Sequence, residues 1–207
     1  MDYSVEDLPQ ECADALYYPH PNTNLRTRNA RFRDAACQQY QLRWHSVGGN
    51  GNCFFQSVSE LLQDARLEQE PTAVTPDALR VRVIAFFRSC IDKEDHLSER
   101  LAVEIQDEVN RELSCSNHKS FNGQRLNGYV PSTVEEYLDA SSHDGVWVQG
   151  IHWLRAISCL FNVRVAVIIY GQPIVRFFGS GPITIFLYKV RFHLTISTAY
   201  LTNIHPG

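Results

Sequence analysis

The hydrophobic period of this chain changes once, near residue 162, and that change constrains the fold more than any other feature. Upstream, apolar residues recur at helical spacing: Phe54, Val58, Leu61 and Leu62, then Leu79, Val83, Phe86, Phe87 and Cys90. The same spacing returns at Leu101, Ile105, Val109 and Leu113, and again at Trp147, Leu154, Ile157, Leu160 and Phe161. Downstream, VRVAVIIYG, PIVRFFG and PITIFLY are short and rich in β-branched and aromatic residues. Turns at Gly171, Gly179, Gly181 and Pro182 separate them, and FHLTIS is a last strand. Helices followed by strands imply an α+β fold, in which a small central sheet from the C-terminal third packs between helices. With 207 residues, 44% of them hydrophobic, one sizeable core is attainable.

Punctuation supports these helices. Thr75 precedes Pro76 at the start of one, Ser98 precedes another, and Ser132 with Glu135 has capping-box spacing ahead of VEEYLDASS. The polar stretch SCSNHKSFNGQRLNGYVP has the composition of a long surface loop, the kind of segment that handles substrate beside a rigid scaffold.

Residues 1–45 read as an N-terminal helical extension, with a break at YPHPNTN and a second helix carrying Leu25, Phe32, Ala36 and Tyr40 on one face; residues 46–207 form the main domain. Arg26, Arg28, Arg31 and Arg33 crowd that second helix, and a solvated helix face accounts for them. With 19 basic against 23 acidic side chains and a net charge of −4, the chain has no field for a nucleic-acid partner. No apolar run approaches the roughly 18 residues of a membrane span. The N-terminus starts acidic and lacks the order of a secretory signal. The six cysteines, Cys12, Cys37, Cys53, Cys90, Cys115 and Cys159, are widely spaced with no Cys-x-x-Cys pair. They are expected to be free thiols in a reducing, cytoplasmic compartment, which is the host cytosol if the source is a pathogen. Cys115 and His118 have a metal-like gap, but no second pair follows, so neither metal nor cofactor is expected.

The stretch VGGNGNCFF, residues 47–55, bends the backbone with glycines and asparagines and ends the bend on a cysteine that opens an apolar helix. A thiol attacks as thiolate, and a catalytic cysteine therefore needs an environment that lowers its pKa from about 8.5; a helix N-terminus supplies one. The predicted position of Cys53 meets that requirement. The plain alternative is a turn followed by a small buried filler. Cys90 and Cys159 follow helical stripes and fit a core. Among the eight histidines, His193 opens the predicted last strand, where a sheet edge can aim an imidazole at a helix start. His45, His152 and His205 have no evident reason to face the glycine turn.

Together these residues resemble the ovarian-tumour (OTU) family of cysteine proteases, whose signature Gly-Asp-Gly-Asn-Cys-x-Phe is similar to Gly49-Asn50-Gly51-Asn52-Cys53-Phe54-Phe55. The likeness continues through VEEYLDASSHDGVW and LRAISCLFNVRVAV to ITIFLYKVRFHLT, covering about residues 45–198. The resemblance implies an OTU-like cysteine protease fold, with Cys53 as nucleophile and His193 as general base. Backbone N–H groups around Asn50 and Cys53 would then form the oxyanion hole. It implies deubiquitinase activity on ubiquitin or ubiquitin-like conjugates; a monomer without a cofactor is expected. The Gly-Gly tails of such modifiers, preceded by arginines, suit a narrow acidic groove, for which Trp147, Glu135, Glu136 and Asp139 are candidates; an ordinary solvated face explains the acids equally well. The chain departs from the family pattern at Asn50, where Asp is usual, at Thr195, where Asp or Asn is usual, and at Trp147-Val148-Gln149-Gly150. Thr195 is then a weak third member of the site. A non-catalytic modifier-binding domain and a protease acting on a polyprotein are the competing functions.

Overall fold

The computed structural model describes residues 3–17, 24–47, 51–65, 74–91, 96–115, 131–146, 148, 150–192 and 195–203. Among them, seven helices and six strands follow one another as β1 (Tyr3–Asp7), α1 (Gln10–Tyr17), α2 (Leu25–Gln39), β2 (Leu42–Ser46), α3 (Cys53–Asp64), α4 (Pro76–Ile91) and α5 (His96–Cys115). Then come α6 (Val134–Ser142), α7 (Ile151–Phe161), β3 (Val163–Ile169), β4 (Ile174–Phe178), β5 (Ile183–Phe192) and β6 (Thr195–Asn203).

The strands form one sheet in the order β1-β4-β3-β5-β6-β2. Its central pair, β3 and β5, is parallel, from Val163 opposite Ile183 to Ile169 opposite Lys189, and every other pairing is antiparallel. A central parallel pair is covered on both faces, which is why β3 reads as an unbroken apolar run. Val163, Val165 and Val167 of β3 and Ile185 and Leu187 of β5 face a core shared with α3 to α7, built around Phe55, Val58, Leu62, Phe87, Ile105 and Trp153. Ala166, Ile168, Phe186 and Tyr188 point to the opposite face and meet Leu8, Cys12, Phe32, Ala36 and Leu42.

The sheet is therefore α+β and flanked by helices, as expected, but it is not drawn from the C-terminal third alone. The N-terminal segment supplies both edge strands, and α1 and α2 cover one face. Residues 1–46 hold α1 and α2 and also β1 and β2. Every residue of β1 is exposed, and only Leu42 is buried in β2. Neither strand carries the alternation that marks a half-buried strand; pairing with β4 and β6 makes them strands. The last strand also differs: β5 runs on to Phe192 and β6 starts at Thr195, opposite it, where the sequence suggests one strand across 192–197.

The crossover from β4 to β5 passes tightly under the end of α7. A Cβ at Gly179, whose φ is +81°, would lie 1.7 Å from Ser158 Oγ, a hydroxyl that donates to Val163 O at 2.6 Å. Only glycine fits there without moving the helix end.

The capping box of α6 is displaced by one residue from its expected place. Thr133 is the N-cap and its hydroxyl accepts from Glu136 N at 3.2 Å; Glu136 Oε2 in turn accepts from Ser132 N and Oγ at 2.8 and 2.7 Å. Glu135 is thereby released to pair elsewhere. Thr133→Ala is expected to lower stability by about 1 kcal/mol, the usual worth of a cap, measured as a shifted urea midpoint with an unchanged slope.

Candidate active site

Cys53 is the first residue of α3, 2% exposed, and Asn52 is its N-cap. Phe55 anchors the helix behind it: the ring is buried, edge-on to Trp153 at 5.7 Å, and Trp153 in turn meets Phe87 edge-on at 5.0 Å. Phe54 is only half-buried, so Phe55 holds the helix more firmly.

The turn leading to Cys53 is set by Gly51, with φ +82°. A Cβ there would lie 1.8 Å from Gly145 O, so the turn at 51–52 and the loop that follows α6 are in backbone contact. Side chains fasten this contact. The N-cap side chain of Asn52 does not cap α3. Instead its Nδ2 donates to Asp144 Oδ1, and its Oδ1 accepts from Arg80 Nη2 at 2.6 Å and from Gly145 N at 3.3 Å. Arg80, on α4 and 2% exposed, also donates to Ser141 O at 2.6 Å, to Val146 O at 3.0 Å and to Gly51 O at 3.5 Å. Its guanidinium carbon lies 4.5 Å over the Phe55 ring. Burial pushes the Arg80 guanidinium down to about 10, opposed by Asp144, Asp77 and the Cys53 sulfur.

The sequence carries one signal for Arg80. Arg80 shares the buried stripe of α4 with Val83, Ile84 and Phe87, and a charge on such a stripe needs buried partners.

Asn50, Trp147, His193, His118 and His205 lie outside the described residues. Thr195 is the first residue of β6, and α3 rests against β5 and β6, the two strands that flank His193 in the sequence. His45 is on β2 at the sheet edge. His152 on α7 is 1% exposed, with Nε2 3.1 Å from the Tyr137 hydroxyl, which also accepts from Trp153 Nε1 at 3.2 Å. It is part of an aromatic core rather than of the Cys53 turn. Glu135 and Asp139 of α6 both pair with Arg88 of α4, Glu135 Oε1 at 2.7 Å. Their hydrogen bonds, Glu135's first, raise the Arg88 guanidinium. At 1.5 Å per residue, Arg88 is about 12 Å along α4 from Arg80, so this acidic pair belongs to a different stretch of the α4 to α6 contact. Glu136 is held in its cap.

Among the described residues, Cys12, Cys37, Cys53, Cys90 and Cys159 are in no disulfide, and no group of three metal-ligating side chains occurs. No helix of the described residues is long and apolar enough to cross a membrane. Burial pushes the Cys12 thiol up to about 12 and the Cys37 thiol up to about 11. A raised thiol pKa keeps the proton on, leaving Cys12 about one part in ten thousand thiolate at pH 8. Iodoacetamide at that pH is expected to modify Cys12 and Cys37 much more slowly in the folded protein than after unfolding, as read by peptide mass mapping. A cavity of about 630 Å³ lies elsewhere, lined by Asp34, Cys37, Gln41, Leu42 and Trp44 among others, and it shares no residue with the α3 N-terminus.

The fold and this site define a helix-flanked α+β domain that presents a buried thiol at a helix N-terminus. No protein-family model matches the chain, and no curated protein sequence matches it significantly. Similar solved structures include the viral OTU domain protease from Farallon virus, 18% identical over 79% of this chain and 85% of that one, TM-score 0.48. The OTU domain of OTUD1 is 15% identical, covering 80% and 91%, TM-score 0.47. The viral OTU domain protease from Dera Ghazi Khan virus is 15% identical, covering 78% and 82%, TM-score 0.46.

Proposed function

We propose that the chain is a cysteine-dependent hydrolase that removes ubiquitin or a ubiquitin-like modifier from lysine side chains, with Cys53 as nucleophile and His193 as its base. The observation that carries this reading is the placement of Cys53 as the first residue of α3, at the end of a turn that Gly51 alone permits. There the helix presents its positive end to the reacting centre. The packing of α3 against the strands that flank His193 supports pairing the two.

In this mechanism His193 takes the proton from Cys53, and the sulfur attacks the carbonyl carbon of the modifier's terminal glycine. Backbone N–H groups at Asn50 and Cys53 receive the oxyanion, an interaction worth about 3 kcal/mol per donor in other hydrolases. The C–N bond breaks as His193 returns the proton to the lysine amine, leaving a thioester. Water, deprotonated by His193, attacks the thioester, and the modifier leaves as a carboxylate with the thiol restored. Thr195 is assigned the orienting role, since a hydroxyl accepts from an imidazole N–H but adds no negative charge. Trp147, Glu135, Glu136 and Asp139 are the proposed groove lining, where a substrate arginine would compete with Arg88 for Glu135 and Asp139.

A ubiquitin probe carrying a C-terminal electrophile is expected to add once, at Cys53, and to leave Cys53→Ala unmodified. Addition to that variant at another cysteine, or brisk cleavage of plain peptides with no reaction toward the modifier, overturns the reading.

A further inference from the structure

We infer that Arg80, Asn52 and Asp144 form a positioning device for Cys53, in which a buried cation and a carboxylate hold the nucleophile turn from opposite ends of one amide side chain. This inference rests on the role proposed for Cys53 and adds residues that no part of that role names.

Arg80 contacts four acceptors, Gly51 O and Asn52 Oδ1 from the nucleophile turn and Ser141 O and Val146 O from the end of α6 and the loop after it. Its guanidinium also lies over Phe55. Residues 51, 52 and 55 therefore all meet the same buried cation, and Cys53 sits between them in the chain. A guanidinium presents its donors in a fixed planar fork, so it sets both distance and direction, which a lysine ammonium cannot do.

The chemistry of Asn52 then follows from its neighbours. Its oxygen faces two donors, Arg80 Nη2 and Gly145 N, while its nitrogen faces the acceptor Asp144 Oδ1. Only an amide satisfies both sides at once. An aspartate at this position would keep the Arg80 side and set a second carboxylate oxygen against Asp144. A leucine would leave the buried Arg80 donor short of an acceptor. The same contacts draw the Asn52 side chain away from the α3 N-terminus, where an N-cap asparagine ordinarily folds back onto the first-turn N–H groups. The device thus holds the turn and keeps the cap side chain off the helix start that the proposed oxyanion approaches.

The decisive experiment reverses the amide and carboxylate. Asn52→Asp, Asp144→Asn, the double variant and Arg80→Lys are compared by kcat and KM on a ubiquitin fusion, by the iodoacetamide rate at Cys53, and by unfolding midpoint. Asn52→Asp is expected to lower kcat about a hundredfold with KM changed less than about threefold, because a misplaced nucleophile weakens reaction more than binding. Asp144→Asn alone keeps an acceptor oxygen and is expected to stay within about fivefold of the parent, while the double variant recovers most of the kcat lost in Asn52→Asp. Arg80→Lys is expected to lose at least about tenfold in kcat, since the single ammonium cannot serve four acceptors. Retention of kcat in Asn52→Asp, or no recovery in the double variant, overturns the inference. The alkylation rate separates it from the proposed function. If the parent turns over no modifier, that function fails, and the device still stands if Asn52→Asp changes the Cys53 alkylation rate at least about tenfold and the double variant restores it.

Discussion

Gly51→Ala is expected to destabilise the protein by about 4 kcal/mol and to abolish reaction at Cys53, an effect in the exceptional range for a single methyl group. Two costs add. At φ +82° a Cβ meets its own backbone, at about 1 to 2 kcal/mol. It would also lie 1.8 Å from Gly145 O, which is main chain and cannot rotate aside. The loops must separate, and the hydrogen bonds that Arg80 and Asn52 make across them are lost while Arg80 remains buried. Breaking one buried charge-assisted hydrogen bond costs about 1.5 to 3 kcal/mol. The measurement is a urea unfolding curve set beside the electrophilic ubiquitin probe. Cys53→Ala provides the contrast, since it removes the reaction and leaves the turn. A Gly51→Ala protein less than about 1 kcal/mol below the parent, with full labelling, would show that the loops are not in the contact described.

The central part of the fold was readable because its physics is local. β3, β4 and the first part of β5 carry β-branched and aromatic residues between glycine and proline turns, and α3, α4 and α7 carry one apolar stripe each. The edges were not readable for the opposite reason. YSVED has no buried residue, and LRWHS has one, so nothing in either segment distinguishes a strand from a polar connection. The partner that makes each a strand lies more than a hundred residues away, in β4 and β6. The displaced cap of α6 is a case of true local degeneracy. Ser132 with Glu135 and Thr133 with Glu136 have the same spacing, and the choice falls to tertiary structure, where Arg88 takes Glu135.

At the site, the glycine turn and the helix that follows it announce Cys53, because a turn residue and a helical stripe are both written in consecutive positions. The support of that turn is written in three separated places, residues 51–52, 80 and 141–146, and no spacing rule connects them. One local clue existed, a charged residue on the buried stripe of α4. It tells that partners are needed and not where they are. The acidic trio shows the same limit. Glu135, Glu136 and Asp139 look alike on a helical wheel, yet two hold Arg88 and one holds the cap.

His193→Ala is expected to lower turnover about ten-thousandfold under the proposed mechanism, close to 5.5 kcal/mol at 1.36 kcal/mol per factor of ten. The loss is large because the same imidazole acts in both halves of the reaction, passing the thiol proton to the departing amine in the first and deprotonating water in the second. Thr195→Ala is expected to cost much less, about tenfold or under, since its hydroxyl orients the ring without a charge to stabilise imidazolium. Each change removes a group assigned to the reaction, and unfolding midpoints are expected to stay near the parent's. Added imidazole gives an internal control: it is expected to restore part of the turnover to His193→Ala, where a base is missing, and none to Cys53→Ala, where the nucleophile is missing. Turnover by His193→Ala within about tenfold of the parent would remove His193 from the reaction and leave Cys53 to be paired with another base.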